Sequence, residues 1–250
     1  MTETWAAVRG EWTKLRCVRG TWVTLLLFAV VSVLLAALAG RSTRAAIESE
    51  SPLLRADFTP EQAGFDAVLY GQPALIAFGV LMVAGEYGSG GLMRVSLLAV
   101  PRRGRLFAAK TLVTGAATIA VAAPVTALSY LTTQRALGPH GAPIDAPGVP
   151  GALAGAVVYL TLMALFAAGI AMTARNAVVP LAILLPMVLV GTHLLSLLGA
   201  TKDLVRYFPD RAGAELLTVA SSDAPTGLAV LVTWTAAALA CGYVRHSRWE

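Results

Sequence analysis

Long stretches without charge dominate the pattern of this sequence. Six of them, each at least 19 residues long, contain no Asp, Glu, Lys or Arg. A helix needs about 20 apolar residues to cross a bilayer, and a chain in lipid must satisfy its own backbone hydrogen-bonding groups. The pattern predicts an all-α membrane protein, a single domain over residues 1–250, with six transmembrane helices. Their predicted bounds are about 20–40, 67–86, 109–134, 150–174, 176–200 and 224–244.

The charges between these stretches predict the orientation of the chain. If the N-terminus is cytoplasmic, six crossings place both termini inside. The inner segments then hold 12 of the 19 Lys and Arg residues, and the outer segments hold 7. Lys and Arg accumulate on the cytoplasmic side of membrane proteins. The count therefore predicts cytoplasmic N- and C-termini.

Composition supports the same class of protein. The mean hydropathy is +0.71 and only 13% of residues are charged, whereas soluble domains carry about 25% charged residues. The net charge of +5 is explained by basic residues that flank the spans and face anionic lipid headgroups. This interpretation predicts membrane lipid, and no nucleic acid, as a partner. The two cysteines, Cys17 and Cys241, show no metal-ligand spacing.

The segment before the first span has apolar residues at helical spacing. A helix lying in the inner membrane interface is predicted here, because two tryptophans on one face are typical of that position. A plain membrane-proximal tail is the alternative. The apolar stripe consists of Trp5, Val8, Trp12 and Leu15, with Lys14 on the opposite side. The candidate residues of this lead helix are Trp5, Arg9, Trp12, Lys14 and Arg16.

The loop between spans two and three is the most distinctive inner segment. It contains a glycine break, a short apolar piece with poor helical periodicity, a proline and then a basic cluster. Glu86 is either a functional residue of this loop or an interfacial acid that pairs with Arg94 or Arg103. The candidate residues are Glu86, Gly88, Ser89, Arg94, Pro101, Arg102, Arg103, Arg105 and Lys110, with Lys110 at the start of span three.

Spans five and six are joined by an outer segment, 202–223, which mixes apolar and charged residues and predicts short helices at the outer interface. Pro180 and Pro186 predict kinks in span five. His193 is the one titratable side chain well inside a predicted span. It is a candidate translocation-path residue, because ionisable groups are costly in lipid. A hydrogen-bonded packing role is the alternative.

Catalytic motifs are missing from the sequence. It has no His-Glu-x-x-His pattern, and none of its three lysines follows a glycine, so a P-loop cannot form. We therefore expect no enzyme activity and no cofactor in this chain. If it is an active transporter, another subunit supplies the energy.

These features resemble the permease subunit of a bacterial ABC-2 type exporter. The resemblance rests on the basic lead 9–16, the six-span topology and the inner-loop pattern of Glu86, Gly88-Ser89, Pro101, Arg102-Arg103 and Lys110. It implies a cytoplasmic-membrane complex of two permeases, identical or sister chains, with P-loop ATPase subunits that bind ATP and Mg. Residues 88–105 would form a coupling helix docked on the ATPase, and 202–223 would form outer gate helices. Ser89 in place of the usual Thr and the additional Gly90-Gly91 depart from the family pattern.

Two other functions remain open from the residues alone. One is a secondary transporter or channel that works without a partner. Apart from Glu86 at the inner end of span two, the spans carry no carboxylates, which counts against a proton-driven mechanism. The other is a structural or sensory membrane protein without a transport path.

Overall fold

The computed structural model describes residues 2–50, 58–85, 87, 103–197, 202–219 and 221–247. Within these residues, all regular secondary structure is helical. The helices are α1 (Thr2–Cys17), α2 (Arg19–Glu48), α3 (Pro60–Ala84), α4 (Arg103–Leu137), α5 (Val149–Ala174), α6 (Val178–Pro186), α7 (Thr192–Leu197), α8 (Lys202–Val205), α9 (Pro209–Ala214) and α10 (Ala224–Ser247). Short 3₁₀ turns cover Gly138–His140 and Glu215–Leu217, and a π-helical segment covers Met187–Gly191.

Five helices in the described part are long and apolar enough to cross a membrane: α2, α3, α4, α5 and α10. They confirm five of the six predicted spans as helices and support a multi-pass membrane protein. Several helices extend beyond the uncharged windows, because a helix continues after the chain has left the apolar layer. Helix α3, for example, begins at Pro60 after an extended Thr59. Proline suits this first helical position, where its missing N–H leaves no hydrogen bond unmade.

The predicted fifth span has a different form. Helix α6 ends at Pro186, a π-helical segment follows, and α7 begins at Thr192. The apolar helix over Val178–Gly191 is shorter than the five long helices. Proline donates no backbone hydrogen bond, and π-helix is rare and occurs mostly as single-turn bulges inside α-helices. The chain stays helical through Val178–Leu197, and the π segment directly follows Pro186, one of the two prolines at which the sequence predicts a kink.

Helix α3 lies at the centre of the bundle, where it contacts α2, α4 and α5, and α10 packs on the outer side of α5. The apolar window of α3 is 72% buried, whereas those of α2 and α10 are only 28% and 22% buried. Small residues allow the closest approaches: Gly79 of α3 lies against Ala164, and Gly169 of α5 lies against Ala238. Such contacts are usual between membrane helices.

The two ends of the bundle are formed by different helices. The end that contains α1, called here the α1 end, also holds the start of α4, the turn after α5 and the end of α10. Arg175 in that turn donates from Nη2 to the carbonyl of Arg245 at 2.6 Å, and the rings of Phe107 and Tyr243 lie 5.3 Å apart. The opposite end holds α9, which packs against α5 and α10.

Candidate functional site

One face of α1 is buried against the start of α4. Ala7, Glu11 and Leu15 are 4%, 1% and 3% exposed, and α1 packs on α4. Residues four apart lie on one side of a helix, so a carboxylate stands in the middle of an otherwise apolar contact face. An acid in that position requires partners, because a buried unpaired charge is strongly unfavourable.

Glu11 has a lysine on each carboxylate oxygen. Its Oε2 accepts a hydrogen bond from Lys110 Nζ of α4 at 2.9 Å, and its Oε1 accepts one from Lys14 Nζ at 2.7 Å. The side chains of Glu11 and Lys110 are 2% and 3% exposed, whereas that of Lys14 is 36% exposed. We call these three residues the Glu11 junction. It fastens α1 to the helix that follows the candidate coupling loop.

The connection from α1 to α2 is fixed as well. The hydroxyl of Thr21 donates to the carbonyls of Leu15 at 3.0 Å and Val18 at 2.6 Å. The indole N–H of Trp22 donates to the carbonyl of Arg16 at 3.2 Å. These bonds satisfy carbonyl groups that the end of α1 leaves without helical partners. Helix α1 is therefore held both by α2 and, through Glu11, by α4.

The predicted lead helix is present as α1, but the side chains of the predicted apolar stripe do not share one environment. Leu15 is buried, but Trp5 and Trp12 are 67% and 45% exposed, and Arg9 and Arg16 are also exposed. The tryptophans therefore do not pack with Leu15 as one face on the bundle. Lys14 lies three residues from Glu11, a spacing that brings the two side chains together on a helix.

The coupling-loop candidates are only partly visible. Helix α4 begins at Arg103 rather than near 109, so Arg103 and Arg105 belong to its first turn and not to a loop. Arg105 is half-buried, and Lys110 is buried in the Glu11 junction. The remaining predicted residues lie outside the described residues: Glu86, Gly88, Ser89, Arg94, Pro101 and Arg102.

The candidate His193 lies in α7, and its side chain is outside the described residues. Its neighbour Thr192 is buried and donates from Oγ1 to Asp210 Oδ2 of α9 at 2.6 Å. Asp210 is 6% exposed. Burial raises the pKa of this carboxyl group, and the hydrogen bond from Thr192 acts in the opposite direction. The opposite end of the bundle thus contains a buried acid that the sequence pattern places in an outer loop.

Sequence reasoning missed Glu11 and Asp210 as site residues. For Glu11 a signal exists, because Ala7, Glu11 and Leu15 repeat every four residues. For Asp210 the local signal is weaker: Pro209 and Gly213 mark a compact turn, but neither predicts burial. In both cases the partner is distant along the chain, with Lys110 lying 99 residues beyond Glu11.

Among the described residues, no group of three or more His, Cys, Asp or Glu side chains is arranged to hold a metal ion. Comparison of the sequence with protein-family models and with curated proteins gives no match.

Proposed function

We propose that this chain is the membrane-spanning permease subunit of an ATP-driven exporter in a bacterial cytoplasmic membrane. Its partners would be a separate P-loop ATPase and a second permease, identical or a sister chain. The observation that carries the proposal is the buried ion pair between Glu11 of α1 and Lys110 of α4. It connects an N-terminal helix, which lies outside the core of the bundle, with a helix that runs the whole length of the bundle.

This connection is suited to transmit movement. Helix α4 has 35 residues, which corresponds to about 50 Å at 1.5 Å per residue. Separating α1 from α4 would break the ion pair and expose the apolar contact of Ala7 and Leu15, and the loss of buried apolar area is unfavourable. A displacement of α1, or of the segment before Arg103, would therefore move α4 rather than break the junction. A permease driven by an ATPase needs such a mechanical link.

In the proposed arrangement, the broken helix from Val178 to Leu197 is the fifth of six crossings, and both termini are cytoplasmic. Helix α1 lies in the inner interface with Trp5 and Trp12 directed to lipid, in agreement with their exposure. Residues 88–105 would be the coupling segment that binds the ATPase. The sequence contains no Gly-Lys pair and hence no P-loop, so ATP and Mg would bind to the partner.

A self-sufficient secondary transporter is a second candidate, and one observation favours it. Asp210 is a buried carboxylate that packs against apolar helices, whereas the predicted spans carry no carboxylate apart from Glu86 at the end of span two. Buried acids of this kind are typical of proton or cation pathways. This candidate predicts transport by the purified chain alone in liposomes.

The test is affinity purification of the tagged full chain from native membranes in mild detergent, followed by mass spectrometry. We expect near-stoichiometric recovery of a P-loop ATPase. Alanine at Arg102, Arg103 and Arg105 together should reduce this recovery severalfold. The matched control is alanine at Arg41, Arg44 and Arg135, three arginines at the opposite end, which should leave it unchanged. Recovery of the folded chain without any ATPase would reject the exporter proposal.

A further inference from the structure

A cavity of about 430 Å³ lies at the opposite end of the bundle, between α3, α5, the π-helical segment, α7 and α9. Its volume is in the range of pockets for small organic ligands, about 300–1,000 Å³. Its wall combines polar and aromatic side chains. The polar and aromatic side chains that line it include those of Asp66, Tyr70, Gln72, Tyr159, Thr192 and Asp210.

Two buried polar atoms in this wall have no hydrogen-bond partner. They are Oδ1 of Asp210, an acceptor, and Nε2 of Gln72, a donor. The residues themselves are 6% and 2% exposed. Nearly all buried polar groups in proteins are paired, and leaving one unpaired is costly. A bound molecule with a donor for Asp210 and an acceptor for Gln72 would correct both deficits.

The charge of the wall favours a cation. Two carboxylates, Asp66 and Asp210, line the cavity together with one guanidinium, that of Arg211. The described wall therefore has an excess of one negative charge when both acids are ionised. A single positive group placed at Asp210 would balance it, and hydrogen bonds to charged groups are the stronger ones.

The exposed part of the cavity wall contains an aromatic and an apolar side chain beside the acid Asp66. Tyr70 is 63% exposed and Leu189 is 55% exposed, and both residues belong to the wall. Aromatic faces attract organic cations, and an apolar rim accepts the hydrocarbon body of a ligand. An inorganic ion would use neither of these features.

We propose that this cavity binds a small organic ammonium compound, with its charged nitrogen at Asp210 and its apolar body between Tyr70 and Leu189. The inference does not depend on ATP-driven export, because it concerns binding by this chain alone. It applies equally if the protein is a secondary transporter or a sensor.

The test uses phenethylamine as the ammonium probe and 2-phenylethanol as its neutral analogue. Binding is measured by isothermal titration calorimetry at pH 8 on the full chain in lipid nanodiscs, with empty nanodiscs subtracted to remove partitioning into lipid. We expect phenethylamine to bind at least about tenfold more tightly than 2-phenylethanol, since one charge-assisted hydrogen bond is worth about that factor. This comparison uses the unaltered protein and does not depend on the folding of a variant.

Asp210→Asn should weaken phenethylamine binding about tenfold or more and leave 2-phenylethanol binding unchanged. Glu215→Gln is the matched control: Glu215 lies in the 3₁₀ turn directly after α9 but does not line this cavity. That variant should bind like the original protein. Equal binding of the two probes, no binding of either, or full phenethylamine binding by Asp210→Asn would each overturn the proposal.

Discussion

The two ends of the bundle each bury one carboxylate, but they treat it differently. At the α1 end, Glu11 uses both oxygens, each with a lysine. At the opposite end, Asp210 uses one oxygen with a hydroxyl and keeps the other without a hydrogen-bond partner. The first arrangement is complete within the chain, whereas in the second one carboxylate oxygen has no hydrogen-bond partner, which is the basis of the proposed ligand site. The difference separates a group that fastens helices from a group that can receive a ligand.

The energetic consequences also differ. A buried ion pair with good geometry is costly to break by removal of one partner. For Asp210, desolvation outweighs the favourable influence of Arg211 and of its hydrogen bonds, so loss of its charge removes a net penalty in the native state. Opposite effects on stability are therefore expected from the same chemical change, Glu to Gln or Asp to Asn, at the two ends.

The largest expected effect comes from Glu11→Gln. This change removes the charge that compensates buried Lys110, and the free energy of unfolding should fall by about 3–5 kcal/mol. Unfolding by SDS in mixed micelles measures it. Glu48→Gln is the control, because its pair with Arg44 at 2.7 Å is exposed and should contribute only about 0–1 kcal/mol. Equal decreases in the free energy of unfolding of the two variants would show that the Glu11 junction does not hold α1 on α4.

Gly213→Ala should have an intermediate effect on the opposite end. A Cβ at Gly213 would overlap the ring of Tyr159, which is buried, so the ring has to shift. Overpacking of this kind costs about 1–3 kcal/mol, measured by the same unfolding experiment. Gly151→Ala on α5 is the control, since nothing lies within 4 Å of the added carbon. That change should be neutral or stabilising by up to about 1 kcal/mol.

The smallest expected effect is a change in pH dependence with Asp210→Asn. The pKa of Asp210 is raised in the folded protein, so the folded state binds more protons than the unfolded state above the ordinary carboxyl value. Stability therefore falls as pH rises through that interval, and the loss is complete above the folded pKa. The thermal midpoint of the original protein relative to Asp210→Asn should decrease from pH 4 to pH 8.

The surroundings of Asp210 define what this pH experiment reports. The charged and titratable groups that line the same cavity are Asp66 on α3, Tyr70 on α3, Tyr159 on α5 and Arg211 on α9. Because all of them remain in Asp210→Asn, the difference between the two proteins isolates Asp210. Glu215→Gln serves again as the control and should keep the original slope. A constant difference at every pH would contradict the assigned role of burial.

The long helices were predictable because their signal is local. An uncharged stretch of about 20 residues in lipid has few alternatives to a helix, and α5 (Val149–Ala174) matches its predicted window closely. Helix starts were less predictable. Helix α4 begins at Arg103, within a basic segment that hydropathy excludes from the span. Charged residues end an apolar window, but they do not end a helix.

The candidate sites were less accessible to prediction, for a physical reason. The roles of Glu11 and Asp210 depend on partners in other helices, and a linear pattern carries no record of which helix faces meet. Charge counting therefore assigns Glu11 to the inner solvent and Asp210 to the outer solvent. The structure buries both of them.

The π-helical segment Met187–Gly191 also sets the rotational phase of everything after it. The backbone N–H of Thr192 reaches back five residues to the carbonyl of Met187, while its hydroxyl, 3.4 Å from that carbonyl, makes the shorter bond to Asp210 at 2.6 Å. One additional residue in a helical turn rotates the following side chains by about 100°. The orientation of Thr192 toward Asp210 therefore depends on the number of residues between Pro186 and Thr192 more than on which residues they are.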